Sequence, residues 1–125
     1  MIHLSGSKTP TRVLVTGSDG YIGAVLCPML LARGFDVVGL DAGFYRRGWL
    51  FDDLAIRPLT VSKDTRRVTA EDLSGFDAVV HLAELSNDPL GENTPELTYQ
   101  INHLASVRLA TLATRPLYPQ STGAA

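Results

Sequence analysis

The sequence predicts an α/β fold: a Rossmann-like parallel sheet of about four strands in the order 3-2-1-4, with helices on both faces. Short apolar runs rich in β-branched residues alternate with segments of helical spacing. The first apolar run leads into regularly spaced glycines and then a helical pattern. Because parallel strands are joined by right-handed crossovers, this element order leaves few topologies. We expect a truncated, half-sized version of a doubly wound sheet.

Four segments are predicted as strands. Arg12–Thr16 is a short apolar run, as expected of a strand buried on both faces. Residues 35–40 form the second run, which ends at Asp41. A weaker third strand is predicted near residues 56–61, and residues 76–82 form the fourth.

Three helices are predicted between and after these strands. The first begins at Tyr21, contains Pro28, which should bend it or weaken one turn, and ends at Gly34 as a C-terminal cap. Its helical spacing places five apolar residues on one face: Ile22, Val25, Leu26, Met29 and Leu30.

Capping signals predict the other two helices. Thr69 and Asp72 have capping-box spacing, which indicates a short helix over residues 70–74. Thr94, followed by proline and glutamate, predicts a capped helix that runs to about residue 113. We expect one domain over residues 1–113, with a loose lead-in at 1–10, a loop at 42–55 and a disordered tail at 114–125.

The composition excludes several classes of function. A net charge of −2 gives no electrostatic footprint for nucleic acid, and no apolar run approaches the length that spans a bilayer. The N-terminus lacks the pattern of a secretion signal. The single cysteine, Cys27, cannot form an internal disulfide, so we expect a cytoplasmic protein.

Glycines recur at positions 17, 20 and 23 between the first strand and the first helix. Gly17 permits the tight turn, Gly20 lets a pyrophosphate approach the backbone, and Gly23 lets the helix pack closely on the sheet. Asp41 lies 18 residues after Gly23, at the end of the second strand. A carboxylate there accepts hydrogen bonds from an adenosine ribose and repels a 2′-phosphate, which favours NAD over NADP.

Two alternatives stay open at this point. The glycines can serve only to pack a tight turn, without any ligand. Arg46 and Arg47 can hold a 2′-phosphate, which keeps NADP as the less favoured cofactor, or they can be a solvated pair in a loop.

Residues 13–23, with the sequence VLVTGSDGYIG, resemble the start of the extended short-chain dehydrogenases/reductases, the NAD-dependent epimerase/dehydratase group. Residues 79–83, residues 86–89 and Asn102 look like later landmarks of the same group. The resemblance covers residues 12–110 and implies a Rossmann-like domain. In such enzymes a nucleotide sugar is oxidised by NAD, altered and usually reduced again.

The resemblance also implies roles for individual residues. Leu82 and Ala83 would line the middle of the cofactor, and Asn102 would fix the nearby helix. Thr65 and Glu84 depart from the family pattern, and Glu84 places a carboxylate beside the cofactor channel. By the same resemblance, the pyrophosphate would be contacted by Ser18, Asp19, Tyr21 and Ile22. The adenine would be contacted by Asp64 and Thr65.

The family's Tyr-x-x-x-Lys pair does not occur in these 125 residues. The residues four positions beyond the tyrosines are Val25, Trp49, His103 and Thr122, none of them lysine. The family's fifth strand and substrate domain have no counterpart here either. We therefore assign no catalytic residue and expect the chain to be inactive alone.

Other chemistry-bearing side chains are interpreted as structural, and no metal site is assigned. His81, Asn102 and His103 are expected to pack or lie on the surface, and Cys27 has no basic neighbour in sequence to lower its pKa. Trp49 and Tyr99 are expected to pack, and Asp52, Asp53 and Asp88 are interpreted as solvated loop charges.

Three functions remain open: an NAD-binding remnant of an epimerase or dehydratase, an interaction module that kept the fold, and a half-enzyme completed by a partner chain. A sheet that ends at its fourth strand leaves an unpaired edge, which favours association. We therefore expect self-association, or pairing with a homologous chain, through residues 76–82 and 96–113.

Overall fold

A parallel sheet organises the structure, a computed structural model that describes residues 9–44, 56–86 and 92–114. The strands lie in the order β3-β2-β1-β4, and each neighbouring pair is parallel. The predicted strand order and fold class are confirmed. The bounds are β1 (Arg12–Thr16), β2 (Asp36–Asp41), β3 (Leu59–Ser62) and β4 (Ala78–His81).

The central strand β1 supplies side chains to an apolar cluster on each face of the sheet. Val13 and Val15 pack with Cys27 on one face, and Leu14 packs with Leu40 and other leucines on the opposite face. All three of these β1 residues are at most 4% exposed. A strand covered on both sides needs apolar residues in succession, which explains the run that marks it in the sequence.

Helix α1 (Gly23–Ala32) covers the face that carries Val13 and Val15. It ends as predicted at Gly34, whose φ is +84°, a value that favours glycine. The amide of Gly34 donates to Leu31 O and that of Phe35 donates to Leu30 O. These two bonds form a Schellman motif, which satisfies carbonyls at the helix end.

The predicted buried face of α1 is wrong in part. Ile22, Val25 and Met29 are 62%, 61% and 46% exposed, whereas Gly23 and Cys27 are buried. The helix is apolar on every side, so the spacing of its apolar residues did not identify the face that contacts the sheet.

A continuous helical stretch covers the opposite face. It consists of α2 (Pro95–Thr98), a π-helical turn (Tyr99–Leu104) and α3 (Ala105–Thr114). Both the end near residue 113 and the start agree with prediction: Thr94 is at the N-cap position, Pro95 begins the helix and Glu96 lies in the first turn. The Thr94 side chain makes no cap hydrogen bond, while its carbonyl accepts from the amide and hydroxyl of Thr98.

Two short 3₁₀ turns connect β3 to β4, Thr65–Arg67 and Glu71–Leu73. The second occupies the place of the short helix predicted at 70–74. Asp72 Oδ2 accepts from the amide of Thr69 at 2.7 Å and from its hydroxyl at 3.0 Å. The predicted pair therefore forms, although it stabilises one turn rather than an α-helix.

Several predictions lie outside the described residues: the lead-in up to residue 8, residues 45–55 of the predicted loop, the tail from residue 115, and the roles of Arg46, Arg47, Trp49, Asp52, Asp53 and Asp88. Over the ranges that are described, no helix has the length and apolar character required to cross a membrane.

Gly23→Ala should destabilise the fold because the new Cβ would lie 2.2 Å from the carbonyl oxygen of Gly17. Overpacking of this kind costs about 1–3 kcal/mol or more. Gly20→Ala is the matched control, since its Cβ would meet only the same oxygen, at 3.2 Å. Urea unfolding should show a much lower midpoint for Gly23→Ala; equal midpoints would contradict the close packing of helix on turn.

Candidate dinucleotide site

A cavity opens at the carboxyl ends of the strands, beside the turn that joins β1 to α1. The sheet grows in one direction from β1 through β2 to β3, and in the other direction to β4. Such a switch point is where ligands of open α/β sheets bind. Seven of the twelve residues predicted for the cofactor line this cavity: Gly17, Gly20, Asp41, Asp64, Thr65, Leu82 and Ala83.

The glycine turn brings the main chain to the cavity wall. Gly17 has a φ of +72°, and a Cβ on it would lie 2.7 Å from the amide nitrogen of Ala83. A Cβ on Gly20 would meet nothing within 4 Å except Gly17 O at 3.2 Å. The side of Gly20 that borders the cavity is therefore open backbone, which a phosphate group could approach.

The structure does not place the other five predicted residues in the cavity wall. Ser18 and Asp19 are buried under the turn, and Gly23 packs against Gly17. Tyr21 and Ile22 are 93% and 62% exposed at the start of α1.

The first turn of α1 can nevertheless present hydrogen-bond donors. The amide of Ala24 donates to Gly20 O, and those of Val25 and Leu26 donate to Ile22 O. The amides of residues 21–23 come before the first hydrogen bond of the helix, so no carbonyl of the helix accepts from them. The backbone N–H groups of residues 21–23 thus mark the positive end of the helix dipole.

Asp41 is fixed at the end of β2 by two backbone amides. Its Oδ2 accepts from Asp19 N at 3.0 Å, and its Oδ1 accepts from Gly43 N at 2.6 Å. These bonds tie the glycine turn to the end of β2 and orient the carboxylate at the cavity wall. Each carboxylate oxygen can accept further hydrogen bonds, as recognition of a ribose diol requires.

Two ion pairs involve cavity residues that follow β3. Asp64 is bonded to the guanidinium of Arg66, with 2.6 Å between Oδ2 and Nη2, and the pKa of Asp64 is lowered chiefly by this side-chain hydrogen bond. Lys63, a cavity residue that the sequence did not single out, pairs with Asp72 at 2.6 Å. Both pairs are partly exposed, so they orient side chains more than they stabilise the fold.

Asn102 fastens the segment that follows β4. Its Oδ1 accepts from Leu85 N at 2.8 Å, and its Nδ2 donates to Leu85 O at 2.9 Å. These two bonds join the π-helical turn to Leu85, which lines the cavity. They agree with the helix-fixing role that the resemblance implies for Asn102. Phe44, Leu85 and Ile101 also line the cavity. They are apolar residues without a motif, so sequence reasoning had no signal for them.

The Cys27 thiol does not line this cavity. Burial, and secondarily the charge of Asp19, raise the pKa of the Cys27 thiol to about 11, so the thiol stays protonated at neutral pH. Across residues 9–44, 56–86 and 92–114, no three His, Cys, Asp or Glu side chains form a group that could hold a metal ion.

Solved structures with the same architecture include nucleotide-sugar enzymes. An NAD-dependent NDP-hexosamine 5,6-dehydratase, TunA, of tunicamycin biosynthesis is 28% identical (TM-score 0.70). A UDP-glucose-4-epimerase from Stenotrophomonas maltophila, solved with bound NAD and formylated UDP-arabinopyranose, is 27% identical (TM-score 0.67). MoeE5, in complex with UDP-glucuronic acid and NAD, is 29% identical (TM-score 0.64).

The matches cover 81–82% of this chain but only 32–33% of those chains. This chain therefore spans about one third of the length of these structures. The family model for NAD-dependent epimerases/dehydratases matches residues 13–120. Together with the strand order and the glycine turn, this match shows that the chain belongs to the NAD-dependent epimerase/dehydratase family.

Proposed function

We propose that this chain is the NAD-binding portion of a nucleotide-sugar epimerase or dehydratase. The observation that carries the proposal is the cavity at the switch point, where the open backbone of Gly20 and the carboxylate of Asp41 lie on one wall. Diphosphate and ribose are adjacent groups in NAD, and each finds a matching partner there.

The described residues fit the cofactor in four places. Gly20 and the first-turn amides of α1 would hold the pyrophosphate, and Asp41 would accept from the adenosine ribose. Asp64 and Thr65 would border the adenine, while Leu82 and Ala83 would border the central part of the cofactor. When bound, NAD supplies an acceptor that takes a hydride from the sugar and returns it.

The catalytic groups are proposed to lie on another stretch of polypeptide. None of the tyrosines in these 125 residues is followed four positions later by lysine. A tyrosine needs a nearby positive charge to act as a general base near neutral pH. We propose that these 125 residues bind NAD without transferring hydride, and that a further segment or a homologous partner chain completes the enzyme.

A second proposal concerns association, and the edge of the sheet favours it. β1 pairs with one side of β4, and no other described strand pairs with β4. Leu104 and Val107 on the nearby helical stretch are 48% and 53% exposed. An unpaired strand edge with exposed apolar neighbours promotes pairing with another chain. We propose that a second copy, or a homologous chain, covers this edge.

The cytoplasm is the proposed location. Cys27 is buried as a free thiol, and the sequence contains no second cysteine with which it could form an internal disulfide. A protein that does not depend on disulfides suits a reducing compartment.

NAD should raise the thermal stability of the chain. At a concentration one hundred times its Kd, a ligand adds about 2.7 kcal/mol of stability. Differential scanning fluorimetry should show a clear shift with NAD and NADH and a smaller one with NADPH, because Asp41 repels a 2′-phosphate. Gly20→Ala should lose the shift, whereas Gly34→Ala, remote from the cavity, should keep it relative to its own baseline. A chain that responds to none of the three cofactors would favour the interaction module instead.

Replacing Glu84 should strengthen NAD binding. Its carboxylate lines the cavity and repels the pyrophosphate, although solvent screens the repulsion because the residue is exposed. Glu84→Gln should lower the Kd of NAD roughly two- to fivefold at low salt, with less gain at 0.5 M salt. Glu71→Gln, on an exposed 3₁₀ turn that does not line the cavity, is the control for net charge. Isothermal titration calorimetry measures both; equal gains for the two variants would place Glu84 away from the bound cofactor.

Association should appear as a dimer at micromolar concentration, at twice the chain mass of 13.5 kDa. Ala78→Lys, which puts a charge on the exposed edge strand, should shift the population to monomer. Ala32→Lys, at the exposed end of α1, which contacts β1 and β2, is the matched control. Sedimentation velocity separates the species, and a wild-type protein that is wholly monomeric would remove the proposal.

A further inference from the structure

His81 lies at the centre of a chain of hydrogen bonds that the proposed function does not use. On one side its Nδ1 is 2.5 Å from the hydroxyl of Thr16, and on the other its Nε2 is 2.9 Å from the hydroxyl of Ser106. The Ser106 hydroxyl donates to Asn102 O at 2.8 Å. The imidazole therefore connects the ends of β1 and β4 to the helical stretch.

The donors and acceptors around His81 fix its protonation state. Thr16 Oγ1 already accepts from the amides of Leu82 at 3.2 Å and Ala83 at 3.4 Å, and the Leu82 amide is shared with the backbone carbonyl of Thr16 at 3.0 Å. A hydroxyl has two acceptor sites and one proton, so Thr16 must donate that proton to Nδ1. Ser106 donates its own proton to Asn102 O, so it must accept from Nε2. Both sides require a neutral ring with its proton on Nε2.

The two amides held by Thr16 belong to the cavity wall. Leu82 and Ala83 line the cavity, and their backbone lies so close to Gly17 that a Cβ on Gly17 would be 2.7 Å from Ala83 N. A small movement of this segment would therefore change the width of the cavity beside the glycine turn.

We infer that neutral His81 is a positioning residue for the dinucleotide cavity: it orients the Thr16 hydroxyl, which in turn holds the backbone of Leu82 and Ala83 against Gly17. A protonated ring would present an N–H to Thr16 Oγ1, and the hydroxyl could then keep only one of its two amide bonds. The Leu82 amide keeps its bond to the Thr16 carbonyl, so the Ala83 amide is the one that depends on the neutral ring. The inference rests on the proposed NAD binding of the same cavity.

The surroundings of the ring favour the neutral form. Burial lowers the pKa of His81 below its ordinary value of 6.5, while the charge of Glu84 acts in the opposite direction. Thr16 on β1 and Asn102 and Ser106 on the helical stretch are uncharged, so Glu84 is the charged group that acts on the ring from the segment after β4. Because the folded-state pKa is lowered, this contribution to stability is complete above pH 6.5 and is lost as the pH falls through the folded-state pKa.

The first experiment needs no cofactor. Nitrogen-15 NMR of the wild-type protein should show His81 with its proton on Nε2 at pH 7.5. The amide signals of Leu82 and Ala83 should shift as the pH is lowered from 7.5, with the same midpoint as the His81 ring, and Glu84→Gln should move that midpoint to lower pH. A ring with its proton on Nδ1, or amide signals that ignore the His81 titration, would overturn the inference whether or not NAD binds.

The second experiment measures the Kd of NAD by calorimetry over the same pH range. Wild type should bind roughly five- to tenfold more weakly once the His81 ring is protonated, the loss expected from one hydrogen bond. His81→Asn keeps an acceptor for Thr16 and cannot become charged, so its Kd should vary less than twofold. His103→Gln, at the exposed histidine stacked on Tyr99, should titrate like wild type.

The outcomes separate the two proposals. Failure of NAD to bind at any pH would overturn the proposed function, while the NMR titration would still decide whether His81 holds the segment. If the amide signals titrate with His81 but the Kd of NAD for wild type does not change with pH, the link between His81 and the cavity is wrong. A variant that does not fold leaves the wild-type titrations as the deciding measurement.

Discussion

The close approach of three backbone segments around Gly17 is the constraint on which the rest of the structure depends. The carbonyl of Gly17 lies where a Cβ of Gly23 would be, so α1 can cross the turn only without a side chain at that position. The opposite side of Gly17 touches the backbone of Leu82 and Ala83. A turn confined on both sides holds its amides in one place, which a binding site for a diphosphate requires.

Polar side chains at two strand ends and in the π-helical turn maintain this arrangement. Asp41 binds the amide of Asp19, Thr16 binds those of Leu82 and Ala83, and Asn102 binds both backbone groups of Leu85. Each side chain joins its own element to a segment that follows a different strand. Loops held in this way keep the shape of a cavity without being part of the sheet or of a helix.

Several features were predictable because they follow from local chemistry. The strand runs, the Schellman end at Gly34 and the glycine turn each require particular residue types at particular positions. The contacting face of α1 was not predictable, since a helix that is apolar on all sides carries no periodic signal. The π-helical turn has no sequence signal either, yet it contains Asn102, whose backbone carbonyl accepts the hydrogen bond of the Ser106 hydroxyl. At Thr94 the local signal placed the helix start correctly, although the threonine side chain makes no cap hydrogen bond.

The sequence by itself determined the fold class, the strand order and the family, because buried parallel strands and a phosphate-binding turn restrict residue type at each position. The tertiary structure alone decided which residues meet at the cavity. It brought together Lys63, Phe44 and Leu85, which share no motif, and it left Tyr21 and Ile22 exposed at the helix start. The protonation state of His81 was decided in the same way, since it depends on hydroxyls 65 and 25 positions away in the chain. Such contacts arise from packing between distant segments, and a single sequence records their residues but not their proximity.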